Sequence, residues 1–437
     1  MNSRMGAEKL KERLVTGIKW TVVLSVVVSA SNFASTVVAA RLLGMDQFGA
    51  FSIIRSTVIM MAGVAGMGIG IAATKYVAEL RDADTTRLGK ILGLCSVITI
   101  GTGGFFAVTL LIFAGQLAEY SFNAPQISDH LRLAAIYIFF ITLNEYQVGL
   151  LTGFESFAKL ARVNLGQAVG AFLLTYLMTS LWGLTGATLS LGAAALLNWY
   201  LNHSAIKEQL HKHQIVISYR DMFQEKAVLI NFAFPTALSG FIGSIAVWGC
   251  NAYMVRQPDG LVQMAIFTAA ASFRSLIMFV PGLVTRVVTP VLCNLVGEKK
   301  TSSYSKVFAF NVLISAIAST GIAGLLALTA PKLLAVFGKG FSGGSDVAVL
   351  IAVVSIVEVM ANTFYQPLLA YGRIWWQFQV IVCWSLILVS ITLFTVADYG
   401  ALGLAWAYMA AHLVSLAMYL FAGYRIKKTT EPSLVNG

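Results

Sequence analysis

The chain has 437 residues, of which 58% are hydrophobic and only 11% are charged. Soluble domains carry about 25% charged residues, and a globule could not bury this much apolar side chain. The composition therefore excludes soluble enzymes, secreted disulfide scaffolds and disordered proteins. The net charge of +11 fits either a nucleic-acid partner or the basic loops of a membrane protein.

The apolar residues fall in continuous runs of about 20 residues, which is the length of a membrane-spanning helix. They do not alternate with period two, as the strands of a membrane β-barrel would. The sequence therefore predicts an all-α polytopic membrane protein with about twelve transmembrane helices. Their expected positions are 17–40, 49–73, 91–114, 132–153, 165–182, 184–202, 227–250, 262–285, 307–328, 347–370, 378–397 and 400–423.

Lys and Arg residues fall unevenly on the two sides of this predicted topology. Of the 30, 23 lie on the side that holds both termini, five lie on the opposite side, and Arg55 and Arg274 lie inside predicted helices. Because cytoplasmic loops are enriched in Lys and Arg, we expect both termini in the cytoplasm. This bias accounts for the net charge without a nucleic-acid partner. The hydrophilic stretch 203–226 contains three histidines and is expected to be a solvated cytoplasmic linker, with metal binding as the alternative.

Two short blocks recur at nearly one spacing, which indicates an internal duplication. The block Gly183–Gly186 matches Gly400–Gly403 at an offset of 217, and Asn144 matches Asn362 at an offset of 218. We predict two six-helix lobes related by a parallel repeat, with a cavity between them near the membrane midplane. The predicted division is an N-terminal lobe (1–202), a cytoplasmic linker (203–226), a C-terminal lobe (227–424) and a cytoplasmic tail (425–437).

Arg274 and Arg55 lie inside predicted helices, where a charge is costly unless it faces water or a partner. Arg274 lies about 13 residues into the eighth helix, roughly 20 Å deep, and Pro281 is expected to kink that helix beyond it. It is a candidate cation for an anionic substrate group, and the alternative is an ion pair with an acid on another helix. Arg55 lies about seven residues into the second helix. It would either serve the same purpose or reach the membrane interface.

Two acids and one polar stripe complete the candidate site. Glu145 and Glu358 lie near the middle of predicted helices four and ten, among amide side chains. They are candidates for ion or proton coupling, and the alternatives are a partner for an arginine or a buried polar cluster. In the first helix, polar residues at steps of four, three and four share one helical face. Ser29 and Asn32 in this stripe are candidates for contacts with sugar hydroxyls, and helix packing is the alternative.

The segment between the first two predicted helices carries a resemblance to a known family. Residues 40–49, ARLLGMDQFG, resemble the ARLLG-x-x-x-[FY]G segment of polysaccharide exporters and O-antigen flippases. Residues 73–79, ATKYVAE, are also similar to that family. The length, the twelve spans and the six-plus-six repeat extend the resemblance over nearly the whole chain. These motifs are shared with the wider superfamily of multidrug and oligosaccharidyl-lipid exporters.

The resemblance implies a two-lobe transporter that works by alternating access in the inner (cytoplasmic) membrane of a bacterium. Its implied substrate is an undecaprenyl-pyrophosphate-linked oligosaccharide of lipopolysaccharide or similar polysaccharide biosynthesis, moved from the cytoplasmic to the periplasmic leaflet. Membrane lipid, an ion gradient and a polysaccharide polymerase are the implied partners. The related lipid II flippases carry cationic residues in helices two and eight, which are the predicted helices of Arg55 and Arg274 here.

Two other functions compete with this expectation. A multidrug antiporter would have an acidic cavity, and that branch commonly places an acid in helix one or seven, whereas residues 17–40 and 227–250 contain none. A membrane-embedded glycosyl transferase or ligase would need a sizeable loop for its catalytic groups, and no predicted periplasmic loop exceeds about 20 residues. The chain has no phosphate-binding glycine loop, zinc spacing or nucleophile elbow. We therefore expect no enzyme, no cofactor and no metal site.

Overall fold

The computed structural model describes residues 2–66, 68–225, 234–298 and 300–430. Residues 226–233 of the predicted linker and seventh helix, and residues 431–437 of the predicted tail, lie outside the described residues. The described chain forms α-helices, short 3-10 and π-helical turns and loops, and contains no strand. The expected all-α architecture is confirmed for this part of the chain.

Twelve α-helices are described, and several are much longer than one membrane span. They are α1 (Asn2–Gly66), α2 (Ile69–Leu80), α3 (Thr85–Gln116), α4 (Ser128–Leu133), α5 (Ala135–Gly153), α6 (Phe157–Lys212), α7 (Phe234–Val255), α8 (Gly260–Ile277), α9 (Phe279–Gly297), α10 (Thr301–Ala335), α11 (Ser345–Ala370) and α12 (Ile374–Thr430). Among the described residues, nine helices are long and apolar enough to cross a membrane.

Three of these helices each contain two predicted spans, which a sharp corner joins. The backbone leaves helical geometry at Gly44 in α1 (φ 70°), at Trp182 and Gly183 in α6 (φ 53° at the glycine), and at Gly400 in α12 (φ 53°). A positive φ is strained for a residue with a Cβ, so glycine is what permits these corners. With the corners counted, each of the twelve predicted spans has a counterpart in the described helices.

The second and eighth predicted spans are each broken into two helices. The second continues from the end of α1 into α2, and Gly68 in the break has a φ of 68°. The eighth consists of α8 and α9, which meet at Met278. Pro281 lies in the first turn of α9, where the missing N–H removes no intrahelical hydrogen bond. The predicted break is present, and it precedes the proline by three residues.

The predicted internal repeat is visible in the backbone of the two hairpin corners. Gly183 and Gly400 have φ, ψ angles of 53°, −132° and 53°, −127°, respectively. Three residues after each corner, Gly186 and Gly403 lie so close to a carbonyl oxygen eight residues earlier that a Cβ would overlap it. Both corners thus use two glycines for the same two purposes, and the offset of 217 residues is a structural repeat.

The second predicted match is weaker, because the two asparagines lie in different environments. Asn144 is buried and donates a hydrogen bond to the carbonyl oxygen of Ala195 (3.0 Å), whereas Asn362 is exposed. The glutamines Gln147 and Gln366, which are 219 residues apart, are both buried. The halves therefore share a buried glutamine on α5 and α11, at an offset one residue larger than that of the asparagine match.

The chain divides into two compact units. The first contains Met1–Leu42, Ile54–Tyr120 and Ala124–Phe241, and the second contains Leu43–Ile53, Ser121–Asn123 and Ile242–Gly437. The boundary between the two units falls within α7. The lobe boundaries predicted at residues 202 and 227 stay predictions.

The segment Leu43–Ile53 gives a physical reason for the motif at residues 40–49. Gly44 makes the corner in α1. Phe48 is fully buried, and its ring packs edge-on against Phe341 with the centroids 5.9 Å apart. Gly49 lies against the backbone of Leu261, and a Cβ at this position would overlap the carbonyl oxygen of Leu261. The motif is therefore a packing element of the second unit.

The predicted linker is partly helical and partly docked on the first unit. α6 continues to Lys212, so the first ten residues of the linker are helical. Residues 215–219 then run along α3, where Ser218 donates its backbone N–H to the carbonyl oxygen of Gly89 (3.0 Å). A Cβ at Gly89 or Gly93 would overlap carbonyl oxygens of this segment. The two glycines thus let the backbone of this segment approach the helix. The solvated cytoplasmic linker stays a prediction.

Candidate functional site

Arg274 and Glu358 form a bidentate ion pair inside the second unit. The Nε and Nη2 atoms of Arg274 donate hydrogen bonds to the two carboxylate oxygens of Glu358, each 2.5 Å long. The side chain of Glu358 is only 8% exposed, whereas that of Arg274 is 45% exposed. The carboxylate is thus enclosed by protein, while part of the arginine side chain is exposed.

The fold brings the two residues together through close packing of α8 and α11. On α8, the small residues Ala265, Ala269 and Ala270 are fully buried and allow a close approach between helices. Arg274 follows one turn later, at the end of α8, where its carbonyl oxygen accepts the N–H of Met278 (2.9 Å). The break between α8 and α9 therefore places Arg274 in the last turn of α8, although this position lies in the middle of the eighth predicted span.

A histidine is the third ionisable group beside this pair. The Nε2 atom of His412, on α12, lies 3.9 Å from Oε2 of Glu358. His412 is 9% exposed, and its ring lies between Tyr408 (6.2 Å between centroids) and Trp384 (5.6 Å). Within the described structure, Nε2 is a buried polar atom without a hydrogen-bond partner. We refer to Arg274, Glu358 and His412 as the charge cluster.

The two candidate charges of the first unit do not form such a pair. Glu145 on α5 is exposed, and its carboxylate lies against Gly66, where a Cβ would overlap Oε2. This places the acid at the break between α1 and α2. Arg55 is also exposed, and the described residues show no ion pair between it and Glu145. Tyr137 lies within electrostatic range of both residues. The first unit therefore holds a cation and an anion near one tyrosine without direct pairing.

The polar stripe of the first predicted helix lies on α1, in the first unit. Ser29 is half-buried and Asn32 is exposed. The hydroxyl of Thr36 donates to the carbonyl oxygen of Asn32 (3.0 Å), so this member of the stripe bonds its own helix. Asn32 and Ser29 stay candidates for ligand contacts.

The structure joins two predicted site residues and adds one that the sequence analysis did not single out. Arg274 and Glu358 were separate candidates, for an anion and for coupling, and they are partners in the second unit. His412 was missed, although it is an ionisable residue inside the predicted helix 400–423, which is the signal that identified both arginines. Its position beside Glu358 could not be read from the sequence, because 54 residues separate the two.

The comparisons with known proteins find that the chain is similar to proteins of polysaccharide biosynthesis and export. A family model described as "Polysaccharide biosynthesis protein" matches residues 14–296. The "EPS I polysaccharide export inner membrane protein EpsE" of Ralstonia solanacearum is 22% identical over 403 residues, which cover 89% of this chain and 86% of the relative. The "Lipid III flippase" of Escherichia coli (strain K12) is 21% identical over 417 residues, which cover 91% of this chain and 95% of the relative.

Two solved structures share the fold. A multidrug resistance MATE family transporter of the MOP superfamily, in an inward-facing conformation, has a TM-score of 0.78 at 14% identity and covers 94% of this chain and 99% of its own. The lipid II flippase MurJ, in an inward closed conformation, has a TM-score of 0.72 at 15% identity and covers 92% and 87%. At these identities the likeness establishes the fold alone, and the expected all-α polytopic fold is confirmed.

Proposed function

We propose a function from the premise that this chain belongs to the polysaccharide biosynthesis protein family, whose model matches well over half of its residues. The proposed function is a flippase that moves an undecaprenyl-pyrophosphate-linked oligosaccharide from the cytoplasmic to the periplasmic leaflet by alternating access. Relatives named as a polysaccharide export protein and as a lipid III flippase support it. The protein would break no bond. It would lower the cost of carrying a charged head group across hydrocarbon.

The partly exposed side chain of Arg274, with its bidentate hold on a carboxylate, is the observation that carries this proposal. Its fork already holds two oxygens of one anion, the Glu358 carboxylate, and a phosphate offers the same bidentate geometry. A cation that faces hydrocarbon at this depth would be costly. The exposed 45% of the side chain is therefore expected to face water, where a pyrophosphate could reach it.

Three residues of the first unit are proposed as further substrate contacts. Arg55 supplies a second exposed cation. Because it forms no ion pair with Glu145 among the described residues, its guanidinium could bind a phosphate. Ser29 and Asn32 present a hydroxyl and an amide on one face of α1 and would bind sugar hydroxyls. Lys would be a poor substitute for Arg55, because a point charge cannot make the bidentate contact.

An ion gradient is proposed as the partner of the acids, because carboxylates within membrane spans are costly and commonly mark ion pathways. Glu145 is exposed beside a helix break, and Glu358 is buried in the charge cluster. Glu145→Gln and Glu358→Gln keep the shape of the side chains and remove the charge. If both single variants and the double variant translocate substrate with unchanged gradient dependence, neither acid couples transport to an ion.

The test of the function uses a bacterial strain that lacks its own flippase. Periplasmic appearance of the lipid-linked oligosaccharide is measured and normalised to the amount of protein in the membrane. Arg274→Met, which keeps the apolar stem, should reduce translocation to background, and Arg274→Lys should retain part of it. Arg286→Met is the matched control, since Arg286 is exposed on the neighbouring α9 and belongs to no part of the proposed site.

A folding defect is separated from a binding defect by the paired variant. Arg274→Met leaves the buried Glu358 without its cation, so the single variant can lose activity by misfolding. The double variant Arg274→Met with Glu358→Gln removes both charges, and it should accumulate normally while remaining inactive. Wild-type translocation by this double variant at normal abundance would refute the proposal that Arg274 binds the substrate.

Two rival functions make different forecasts in the same strain. A multidrug antiporter of the same superfamily would lower the accumulation of a cationic drug and leave the lipid-linked oligosaccharide in the cytoplasmic leaflet. A membrane-embedded glycosyl transferase or ligase would change the covalent mass of the oligosaccharide. The proposed flippase changes only the leaflet, so mass spectrometry of the recovered lipid discriminates between flippase and enzyme.

The proposed location is the bacterial inner membrane, with both termini in the cytoplasm. The excess of Lys and Arg on the side of the termini supports this orientation, and one relative is named as an inner membrane protein. In this orientation, the segment 215–219 docks on the cytoplasmic end of the first unit. A polysaccharide polymerase that consumes the translocated unit in the periplasm is the proposed downstream partner.

A further inference from the structure

We propose that His412 takes up one proton when Arg274 exchanges Glu358 for an anionic substrate, so that binding of the anion and protonation of the charge cluster are linked. This inference rests on the proposed function. It extends that function by naming the proton as the linked ion and His412 as a positioning residue for the anion site.

The buried carboxylate of Glu358 requires a positively charged partner. Its side chain is 8% exposed, and both of its oxygens are held by Arg274. A buried charge that loses its partner is strongly destabilising, because the charge stays out of water without compensation. A phosphate that draws the guanidinium away would have to overcome this cost unless another positive charge replaced the arginine. Glu358 therefore competes with the substrate for Arg274.

His412 is placed to supply that charge. Its Nε2 atom lies 3.9 Å from Oε2 of Glu358 and has no hydrogen-bond partner within the described structure. A movement of about 1 Å would bring the two atoms to hydrogen-bonding distance. The aromatic rings of Tyr408 and Trp384 contact the imidazole and hold it beside the carboxylate.

The surroundings of the imidazole contain few other charges. The described charged groups that act on His412 are Glu358 on α11 and Arg274 on α8. Tyr408 precedes it by one turn on α12, and Cys250 on α7 lies near that tyrosine. With the arginine in place, the cluster carries one positive and one negative charge, so a protonated imidazole would be a surplus cation. With the arginine drawn to the phosphate, a proton on Nε2 restores the balance at Glu358.

The consequence for binding follows from linkage. A proton bound more tightly in the loaded state than in the empty state is taken up from solvent on binding, and acid then strengthens binding. For one proton, affinity rises up to about tenfold for each unit of decrease in pH, over the range in which the proton is taken up. No covalent bond forms apart from the new N–H bond at Nε2, and deprotonation on release returns Glu358 to Arg274.

The experiment measures proton uptake by the purified full-length protein in weakly buffered detergent solution. The probe is a short-chain prenyl pyrophosphoryl hexose, a diester whose two phosphates do not titrate near neutral pH. Probe binding and the pH change are recorded together. Wild type should take up close to one proton per bound probe at the pH of greatest uptake, and its affinity should rise as pH falls. His412→Gln should bind more weakly, with no uptake and a flat pH profile.

A second variant keeps the proposal falsifiable if His412→Gln does not fold. Glu358→Gln removes both the charge that the proton serves and the competitor for Arg274, so it should bind the probe more tightly than wild type at neutral pH, without uptake. Persistent uptake in a folded His412→Gln protein would overturn the role of His412, because Glu358 itself would then accept the proton. Probe binding by wild type without any uptake would overturn the linkage but leave the flippase proposal intact. Absence of probe binding would refute both.

Discussion

Loss of Arg274 should destabilise the protein far more than loss of Glu358, although the two residues share one ion pair. The reason is their unequal burial: the glutamate side chain is 8% exposed and the arginine side chain is 45% exposed. Arg274→Met strands a buried carboxylate, and breaking a buried pair in this way costs about 3–5 kcal/mol. Glu358→Gln leaves a cation that water can reach and an amide that still accepts a hydrogen bond, so its cost should be about 1–2 kcal/mol.

The double variant provides the second half of this prediction. With both charges removed, no group is stranded, and the free energy of unfolding should recover most of the loss caused by Arg274→Met. The double variant should then cost about as much as Glu358→Gln alone, so the coupling energy between the two sites should be about 3–5 kcal/mol. The measurement is a titration of each purified variant with SDS in mixed micelles, followed by circular dichroism. Additive effects, or equal losses for the two single variants, would refute the argument from burial.

Three further predictions follow from the packing and the topology. Gly149→Ala should lower the free energy of unfolding by about 1–3 kcal/mol, because the new Cβ would overlap a carbonyl oxygen of α2. Gly101→Ala is the control: its Cβ would have no atom within 4 Å, so the SDS titration should show no loss of stability. Gly89→Ala should detach the segment 215–219 from α3, which limited trypsin digestion would detect as faster cleavage than in wild type. In a variant without native cysteines, single cysteines at the exposed positions Lys212 and Ser342 should label oppositely with an impermeant reagent, and labelling at Lys212 from outside intact cells would overturn the predicted orientation.

The spans and the repeat could be predicted from the sequence because their signals are local. Apolar runs define the length of each span, and Gly183 and Gly400 mark corners that only a residue without a Cβ adopts readily. The position of the break at Met278 could be predicted only approximately. Pro281 lies in the first turn of α9, so it marks the start of that helix and not the residue at which the two helices meet.

The candidate site shows where the sequence stops being sufficient. Depth in a span identified Arg274 and Glu358 as costly charges, and an ion pair with an acid was one of the alternatives left open. The partner could not be assigned, because 84 residues separate the two positions and several helices could have lain between them. His412 had the same signal of a titratable group in an apolar span, but a buried imidazole can be neutral and need not have a charged partner. Its role could be inferred only once the structure showed the Glu358 carboxylate 3.9 Å away.

The central claim, that the protein moves a lipid-linked oligosaccharide between leaflets and uses Arg274 to do so, is tested most directly in proteoliposomes. Purified protein is reconstituted with an undecaprenyl-pyrophosphate-linked oligosaccharide, and an external glycosidase measures the fraction of sugar in the outer leaflet over time. Wild type should render sugar from the inner leaflet accessible, with the covalent mass of the protected lipid unchanged, whereas the double variant Arg274→Met with Glu358→Gln should match protein-free vesicles. Equal transfer by wild type and the double variant, or no transfer by wild type, would contradict the account.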